Sequence, residues 1–590
     1  MGLLPSKEKK LTQSVLDGIP FLQDVPKATL KLLENEVSHF SVPGGQQLLA
    51  AGSAADAIYF VISGSLGAFT PRIDGSSEFL GHIRAGEPVG EIALVAGESH
   101  NNDVYTLRDS ELIRLTRNGF MKLIKSSPGL LERLTRVLLL RLRKSRRKQP
   151  QRAEPRVFTL LATSPTIDLD LRTKTLAQEL EKLSLRVKIV DESDADKDSR
   201  YFDDLESRHD IVLFKATVGD TNWYRMSMRY ADRIWVMARA DAHPSTPLMP
   251  EDDNPTRQFK LVDVVLLHHG NSRTGATPEK WRNAAKASRI FHWDGLADDD
   301  ACRLARVMAG RSVGLVMSGG GARAYASVGA VRALREANCP IDFVGGTSMG
   351  GVVAACVAAG WSDSEIDRRI RKAFVETNPL GDYNLPVVGL VKGLKVDRRL
   401  EEHFGDMMIE SLDIPFFTVS TNLTHGTVRI HREGLLRHAL RASIALPGIL
   451  PPVVEDDQVL VDGGVLNNFP ADILKDMHRG RNIGIDVGQA DKGLNAEDFI
   501  NPPGFFRWTF KHGFKAAPPI AALLMRAATV SVDPNEGAQH IDMLVLPDSE
   551  DTEIRDWKAY DRVVEGGYLA TKRALNEING PLARTLHITP

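Results

Sequence analysis

Along the first quarter of the chain, short apolar runs alternate with polar positions and are punctuated by glycines. Gln46–Leu49, Ala57–Ile62 and Leu66–Phe69 are set apart by Gly52 and Gly64, a spacing that predicts a small β-roll. Leu130, Leu131, Leu134, Val137, Leu138 and Leu142 then recur at helical period, so a helix is expected whose stripe serves as core or as a dimer seam. A basic run from Arg141 to Lys148 and a linker with Pro150 follow. Such a run is either simply solvated or draws anionic headgroups, at about 1 kcal/mol per basic residue.

From Arg156 the pattern changes. Val157–Leu161, Arg186–Val190, Ile211–Phe214 and Arg233–Met237 read as strands, and between the first two Leu169, Leu176, Leu180 and Leu183 share one helical face. These are βαβ units, which predict a parallel sheet. No glycine fingerprint follows the first strand, so nothing there supports nucleotide binding. Further on, three strand-like runs each end in glycines: Val313–Met317, Ile341–Val344 and Val459–Val461.

The chemistry sits at those three strand ends. After Ile341–Val344 comes Gly346-Thr347-Ser348-Met349-Gly350, and then Gly351–Ala359, a run of small apolar residues that predicts a buried helix ending at Gly360. Strand, glycine-flanked serine and helix form a nucleophile elbow, with Ser348 exposed at a helix N-terminus that favours developing negative charge. After Val313–Met317 come Gly319, Gly320, Gly321, Ala322 and Arg323. Consecutive glycines cost backbone entropy and suit a place where main-chain N–H groups must approach a ligand, as an oxyanion hole requires. After Val459–Val461 come Asp462, Gly463 and Gly464, then Asn467, Asn468 and Pro470. An aspartate there can deprotonate a serine if burial raises its proton affinity.

Taken together, these segments resemble the patatin-like phospholipases, whose glycine-rich loop, G-x-S-x-G elbow and D-G-[AG] segment match Gly319–Arg323, Ser348 and Asp462 in the same order. The block Arg441–Pro447, followed by Pro451 and Pro452, resembles a segment that supports the site. Ala324 and Ser327 depart from the family pattern, which usually has Gly and often His there. The resemblance implies an α/β fold: a three-layer α/β/α hydrolase core at 313–475 with a C-terminal extension, 476–590. It also implies a catalytic Ser348–Asp462 dyad, an oxyanion hole at Gly319, Gly320, Gly321, Ala322 and Arg323, and support from Gly346, Gly350, Gly463 and Gly464.

The β-roll, placed at 16–145, resembles a cyclic-nucleotide-binding domain through Ile58–Gly64 and Gly86–Leu94. In that family a glutamate holds the ribose, and Glu91 matches it. An arginine pairs with the cyclic phosphate, and His100 stands at that position, with Asp103 close behind. A neutral imidazole cannot replace a guanidinium's two-pronged bond, so the fold is expected without cyclic-nucleotide binding. With a basic linker at 146–156 and a Rossmann-like segment at 157–300, the order resembles bacterial relatives of neuropathy target esterase. That resemblance implies phospholipid or lysophospholipid substrates at a membrane surface.

Composition narrows the remaining choices. A chain of 590 residues, 43% hydrophobic and 25% charged, is globular and long enough for about three or four domains. The formal net charge of -2 carries no nucleic-acid signature. Three cysteines, Cys302, Cys339 and Cys356, imply no disulfide framework and fit a reducing compartment. No run of about 18 apolar residues and no signal-peptide core is present, so the expectation is a cytoplasmic protein, soluble or peripheral on the inner face of a membrane. Neither a metal site nor a cofactor is implied.

Four further features stay open at this level. Met1–Ser6 matches a loose acylation pattern. Phe506, Phe510 and Phe514, bordered by Arg507, Lys511 and Lys515, either face a membrane interface or cover core. A Ser-Asp-His triad would require one of His478, His512, His540 or His587. Competing functions are a non-lipid carboxylesterase and a regulatory scaffold with an inactive core; oligomeric state is not fixed.

Overall fold

The computed structural model describes residues 36–71, 77–127, 129–130, 155–197, 199–219, 221–245, 248, 261–268, 277–295, 298–384, 388–488, 537–548 and 552–578. Met1–Ser6, the helix expected beyond Leu130, the basic run from Arg141 and the stripe at Phe506, Phe510 and Phe514 lie outside these residues. The chain divides into two units, residues 1–265 with 281–288, and residues 266–280 with 289–590.

The first unit opens with eight strands: β1 (Val37–Val42), β2 (Gln47–Leu49), β3 (Ala57–Ser63), β4 (Ser65–Pro71), β5 (Ser77–Arg84), β6 (Pro88–Val89), β7 (Asp103–Thr106) and β8 (Ser110–Thr116). They form two antiparallel sheets, ordered β1-β8-β3-β6 and β2-β7-β4-β5. β3 shows why its sequence is apolar from Ala57 to Ile62. Ile58 and Phe60 enter one apolar cluster while Ala57, Tyr59 and Val61 enter another, so the alternating side chains bury both faces. Helix α1 (Glu91–Ala96) follows β6, and α2 (Arg117–Ser126) starts at Thr116, whose side chain accepts from Gly119 N.

Next come β9 (Val157–Ala162), α3 (Leu169–Lys182), β10 (Val187–Val190), α4 (Ser199–Arg208), β11 (Ile211–Thr217), α5 (Asn222–Tyr230) and β12 (Arg233–Arg239). Strands β10-β11-β9-β12 are neighbours in that order and parallel. All six residues of β9 are buried, as a central parallel strand covered on both faces requires. In α3, capped by Asp168 on Leu171 N, Leu176 and Leu180 are fully buried.

In chain order β13 (Leu261–His268) and β14 (Arg289–Asp294) precede the core of the second unit. That core is a three-layer α/β/α assembly. Its strands are β15 (Val313–Met317), β16 (Phe343–Thr347), β17 (Phe416–Asn422), β18 (Thr427–His431), β19 (Val453–Glu455), β20 (Gln458–Asp462), β21 (Arg481–Ile485) and β22 (Met543–Val545). They run β19-β20-β17-β16-β15-β21-β22, with β18 on the other edge of β17.

The helices are α6 (Ala326–Glu336), α7 (Ser348–Ala358), α8 (Asp363–Ile370), α9 (Leu394–Phe404), α10 (Leu436–Ser443), α11 (Ala471–Met477) and α12 (Tyr560–Glu577). Every residue of α7 is buried, which explains its apolar composition all round. Gly329 and Gly567 let α6 and α12 approach, since a Cβ on either would strike the main chain of the other helix.

Three registers place the site. Met317 at the end of β15 pairs with Gly346 in β16, so the loop after β15 and the serine after β16 emerge side by side. Thr347 pairs with Val419, and Asp462 pairs with Ser420, the next residue of β17. Strands β16 and β20 therefore share one edge of β17 and meet end to end. The sequence placed the elbow strand at 341–344, but it runs from Phe343 to Thr347. Gly345 and Gly346 lie within the strand, and a side chain at 345 would run into the Phe417 ring.

Candidate active site

Where the two strand ends meet, Ser348 Oγ donates to Asp462 Oδ2 at 2.7 Å. The other carboxylate oxygen, Oδ1, accepts from Gly464 N at 2.8 Å. Asp462 is only 1% exposed, and burial pushes its carboxyl up to about 6 although both hydrogen bonds act the other way. Its carboxylate at neutral pH is thus a stronger base than an ordinary aspartate.

Ser348 has a φ of +52°, in the left-handed region that residues with side chains rarely adopt, at an estimated cost of about 1–3 kcal/mol. The surrounding contacts hold it there. Its N–H donates to Ser443 Oγ at 2.9 Å, and Thr418 Oγ1 lies in hydrogen-bond contact with the same oxygen at 2.9 Å. Gly350 lets α7 lie against β15, since a Cβ there would come within 2.6 Å of Met317 O and closer still to Ser318 O. Thr347 Oγ1 donates to Asn467 O at 2.9 Å, which ties the elbow to the turn after Asp462.

The glycine loop is braced from the same turn. Gly319 N donates to Asn468 O at 3.1 Å, and Asn468 Nδ2 donates to Gly319 O at 3.2 Å. Ala322 N donates to Ile554 O and Arg323 N to Gly320 O, while Arg323 Nε donates to Thr552 O. Of the five loop residues singled out in the sequence, three therefore have their amides engaged. Gly320 and Gly321 are the two whose amides make no main-chain bond among the described residues. Ala324 and Ser327 are both buried and bring no new charge to the loop.

A cavity opens beside this site, with Gly321 and Ser348 in its wall. The remainder is almost wholly apolar, from Met349 and Val352 on α7 to Leu400 and Phe404 on α9. A carbonyl held at Ser348 would leave its hydrocarbon in apolar surroundings.

The sequence brought Ser348, Asp462 and the glycines to attention; Ser443 and Thr418 escaped it as site residues. Ser443 lies within the block Arg441–Pro447, and the structure gives that block its meaning: Ser443 holds Ser348 N, and Ala445 O accepts from Asp462 N at 2.9 Å. Of the histidines a triad would require, His478 bonds Ser312 and Asn482 and stacks on Phe343. His540 offers its carbonyl to Asn482, and His512 and His587 lie outside the described residues. Among the described residues no histidine ring bonds Ser348 or Asp462. Nor does any group of three or more His, Cys, Asp or Glu there suit a metal ion, and no helix is long and apolar enough to cross a membrane.

In the β-roll, His100 is buried and its imidazole is held below its ordinary range by desolvation. Gly90 gives the ring room, since a Cβ there would come within 3.2 Å of His100 Cε1. Asp103 Oδ1 accepts from Ala51 N and Gln47 Nε2, so this carboxylate serves the roll's own turn. Glu91 is buried at the start of α1.

Comparison with known proteins places these observations. Residues 315–475 match the patatin-like phospholipase family, 39–127 the cyclic nucleotide-binding domain, and 168–293 the neuropathy target esterase family P-loop like domain. A Mycobacterium tuberculosis protein named as an NTE family protein is 31% identical over 590 residues, covering 97% of each chain. Patatin-like phospholipase domain-containing protein 6 of the mouse is 27% identical across 77% of this chain and 38% of its own length. The rat protein 7 of that series is 27% identical across 76% and 38%.

Proposed function

The chain belongs to the neuropathy target esterase (NTE) family, and from that membership we propose that it hydrolyses (lyso)phospholipid esters through a Ser348–Asp462 dyad and an acyl-enzyme intermediate. The observation that carries this reading is the 2.7 Å bond from Ser348 Oγ to a buried, proton-seeking Asp462 at the wall of an apolar cavity.

In the first half-reaction Asp462 Oδ2 takes the Ser348 hydroxyl proton as Oγ attacks the ester carbonyl. Negative charge forms on the carbonyl oxygen. The amides of Gly320 and Gly321 are placed to receive it, and losing one such donor typically costs about 3 kcal/mol of barrier. Collapse breaks the bond to the alcohol, which leaves with the proton from Asp462. In the second half a water gives its proton to Asp462 and its oxygen attacks the Ser348 ester. The C–Oγ bond breaks, the proton returns to Oγ, and the fatty acid departs.

The cavity supports a hydrocarbon substrate over a small polar ester, because its wall offers almost nothing to solvate a polar chain. Lipids of that kind reside in membranes or micelles, so the protein works at a lipid surface. The β-roll serves this chain without cyclic nucleotide, as neutral, buried His100 leaves a phosphate no guanidinium to pair with. A fluorophosphonate that labels the wild-type protein, with the added mass on the peptide bearing Ser348, is the expected result. Labelling that persists in Ser348→Ala would place the nucleophile elsewhere.

A further inference from the structure

This inference rests on the lipid hydrolase reading and deepens it. We propose that Cys356, with the stacked pair Trp361 and Phe404 beyond it, sets the length of the acyl chain the enzyme accepts.

Ser348, Val352 and Cys356 all line the cavity. They lie at i, i+4 and i+8 of α7 and so share one face of the helix. At about 1.5 Å of rise per residue, Cys356 is about 12 Å along that face from the nucleophile. An acyl chain esterified to Ser348 and extended along α7 passes Val352 first and Cys356 next. The Cys356 thiol is 1% exposed and burial pushes it up to about 12, so it stays neutral and behaves as a small apolar group. Where a larger side chain would close the passage, this one leaves it open.

The end of the passage is built differently. The main-chain N–H of Trp361 donates to Cys356 O at 3.4 Å, which sets the Trp361 backbone next to the last turn of α7. Its ring stacks on Phe404 with centroids 5.3 Å apart and planes at 15°. The Arg369 guanidinium lies 4.0 Å over the Trp361 ring and donates to His403 O at 2.9 Å. Three planar groups, from the segment after α7 and from α8 and α9, thus line the cavity as one stacked unit.

The wall beside it includes Ala373 and Phe374, which belong to a π-helical turn, Arg371–Val375. Such turns are frequent at functional sites. Here it sets two side chains against the same passage.

The test compares kcat/KM for octanoyl, lauroyl and palmitoyl lysophosphatidylcholines in the full chain, with Cys356→Phe, Cys356→Leu and Trp361→Ala. Cys356→Phe is expected to lower the palmitoyl-to-octanoyl ratio by about tenfold or more, as hydrophobic pockets do when one position is filled. Cys356→Leu should move the ratio the same way by less, and Trp361→Ala should move it the opposite way. If Cys356→Phe does not fold, as judged by near-ultraviolet dichroism, the other two variants carry the same comparison. Ratios equal to wild type in folded variants that a short-chain fluorophosphonate still labels would overturn the ruler and leave the hydrolase reading intact. A wild-type protein that hydrolyses none of the three chain lengths would overturn both.

Discussion

The main-chain N–H of Ser348 donates to the side-chain oxygen of Ser443 at 2.9 Å, so the nucleophile is pinned from α10, a helix almost a hundred residues away in sequence. The Ser443 hydroxyl is also hydrogen-bonded to Thr418 Oγ1, 2.9 Å away, whose own proton goes to Gly346 O at 2.8 Å. One hydroxyl thus fixes both sides of the elbow.

Replacing it tests that role. In Ser443→Ala the buried Ser348 N–H loses its acceptor and Thr418 Oγ1 loses a partner, at about 1–3 kcal/mol for each group left unsatisfied. Thermal melts should show lower stability. A displacement of about 1 Å at the nucleophile can cost roughly a hundredfold in rate, so kcat should fall tenfold or more, about in that range, with KM little changed. Steady-state kinetics with wild-type kcat in the variant would contradict the role.

The role proposed for Asp462 gives activity a definite dependence on pH. Only its carboxylate can accept the serine proton, and burial pushes its carboxyl up to about 6. The rate should therefore rise with pH through about 6 and level off above it, where an ordinary aspartate would already have been ionised well below. A profile of kcat/KM that is flat from pH 5 to 8 would mean that another group, or an unshifted carboxyl, does the work.

The same shift acts on stability, with a sign opposite to the usual aspartate. The folded protein holds this proton more tightly than the unfolded chain, so stability falls as pH rises from the ordinary value of 3.8 towards about 6. Above that the penalty is complete, of the order of 3 kcal/mol at 1.36 kcal/mol per unit. Asp462→Asn removes the charge, so it should be inactive yet melt above wild type at pH 8, an advantage that shrinks towards pH 4. Paired melts across that range check the sign.

Gly350 carries a steric prediction. A methyl there would lie within 2.6 Å of Met317 O, main chain that cannot swing aside. Gly350→Ala should displace α7 from β15, lower the melting temperature by several degrees and abolish turnover. Normal stability and rate would show that the helix can give way.

How much of this was legible in the sequence follows from how local each cause is. The elbow, the glycine loop and Asp462 each lie at a strand end marked by glycines within a few residues, so pattern alone exposed them. Their meeting depends on Val419 and Ser420 pairing with Thr347 and Asp462, a register that no single segment contains. For the same reason Ser443 was visible only as part of a block, without its bond. The loop's five candidates narrow to Gly320 and Gly321 once Asn468 and Ile554, from distant segments, are seen to accept the amides of Gly319 and Ala322, and Gly320 O that of Arg323. The cavity was not legible at all. Cys356 read as a helix residue, and nothing near Trp361 in sequence announces Phe404.

The β-roll makes a binding prediction of its own. With His100 neutral and packed against Gly90, titration of cyclic AMP or cyclic GMP into the full chain should give no saturable heat and no rise in melting temperature. A saturable response to either nucleotide would show that the roll recognises phosphate without an arginine.

The most direct test of the central claim is fatty-acid release from lysophosphatidylcholine micelles by wild type, Ser348→Ala and Asp462→Asn, each verified as folded. Release by wild type and loss in both variants is the expected result. A wild-type protein that releases nothing, or a Ser348→Ala protein that releases as much as wild type, would contradict it.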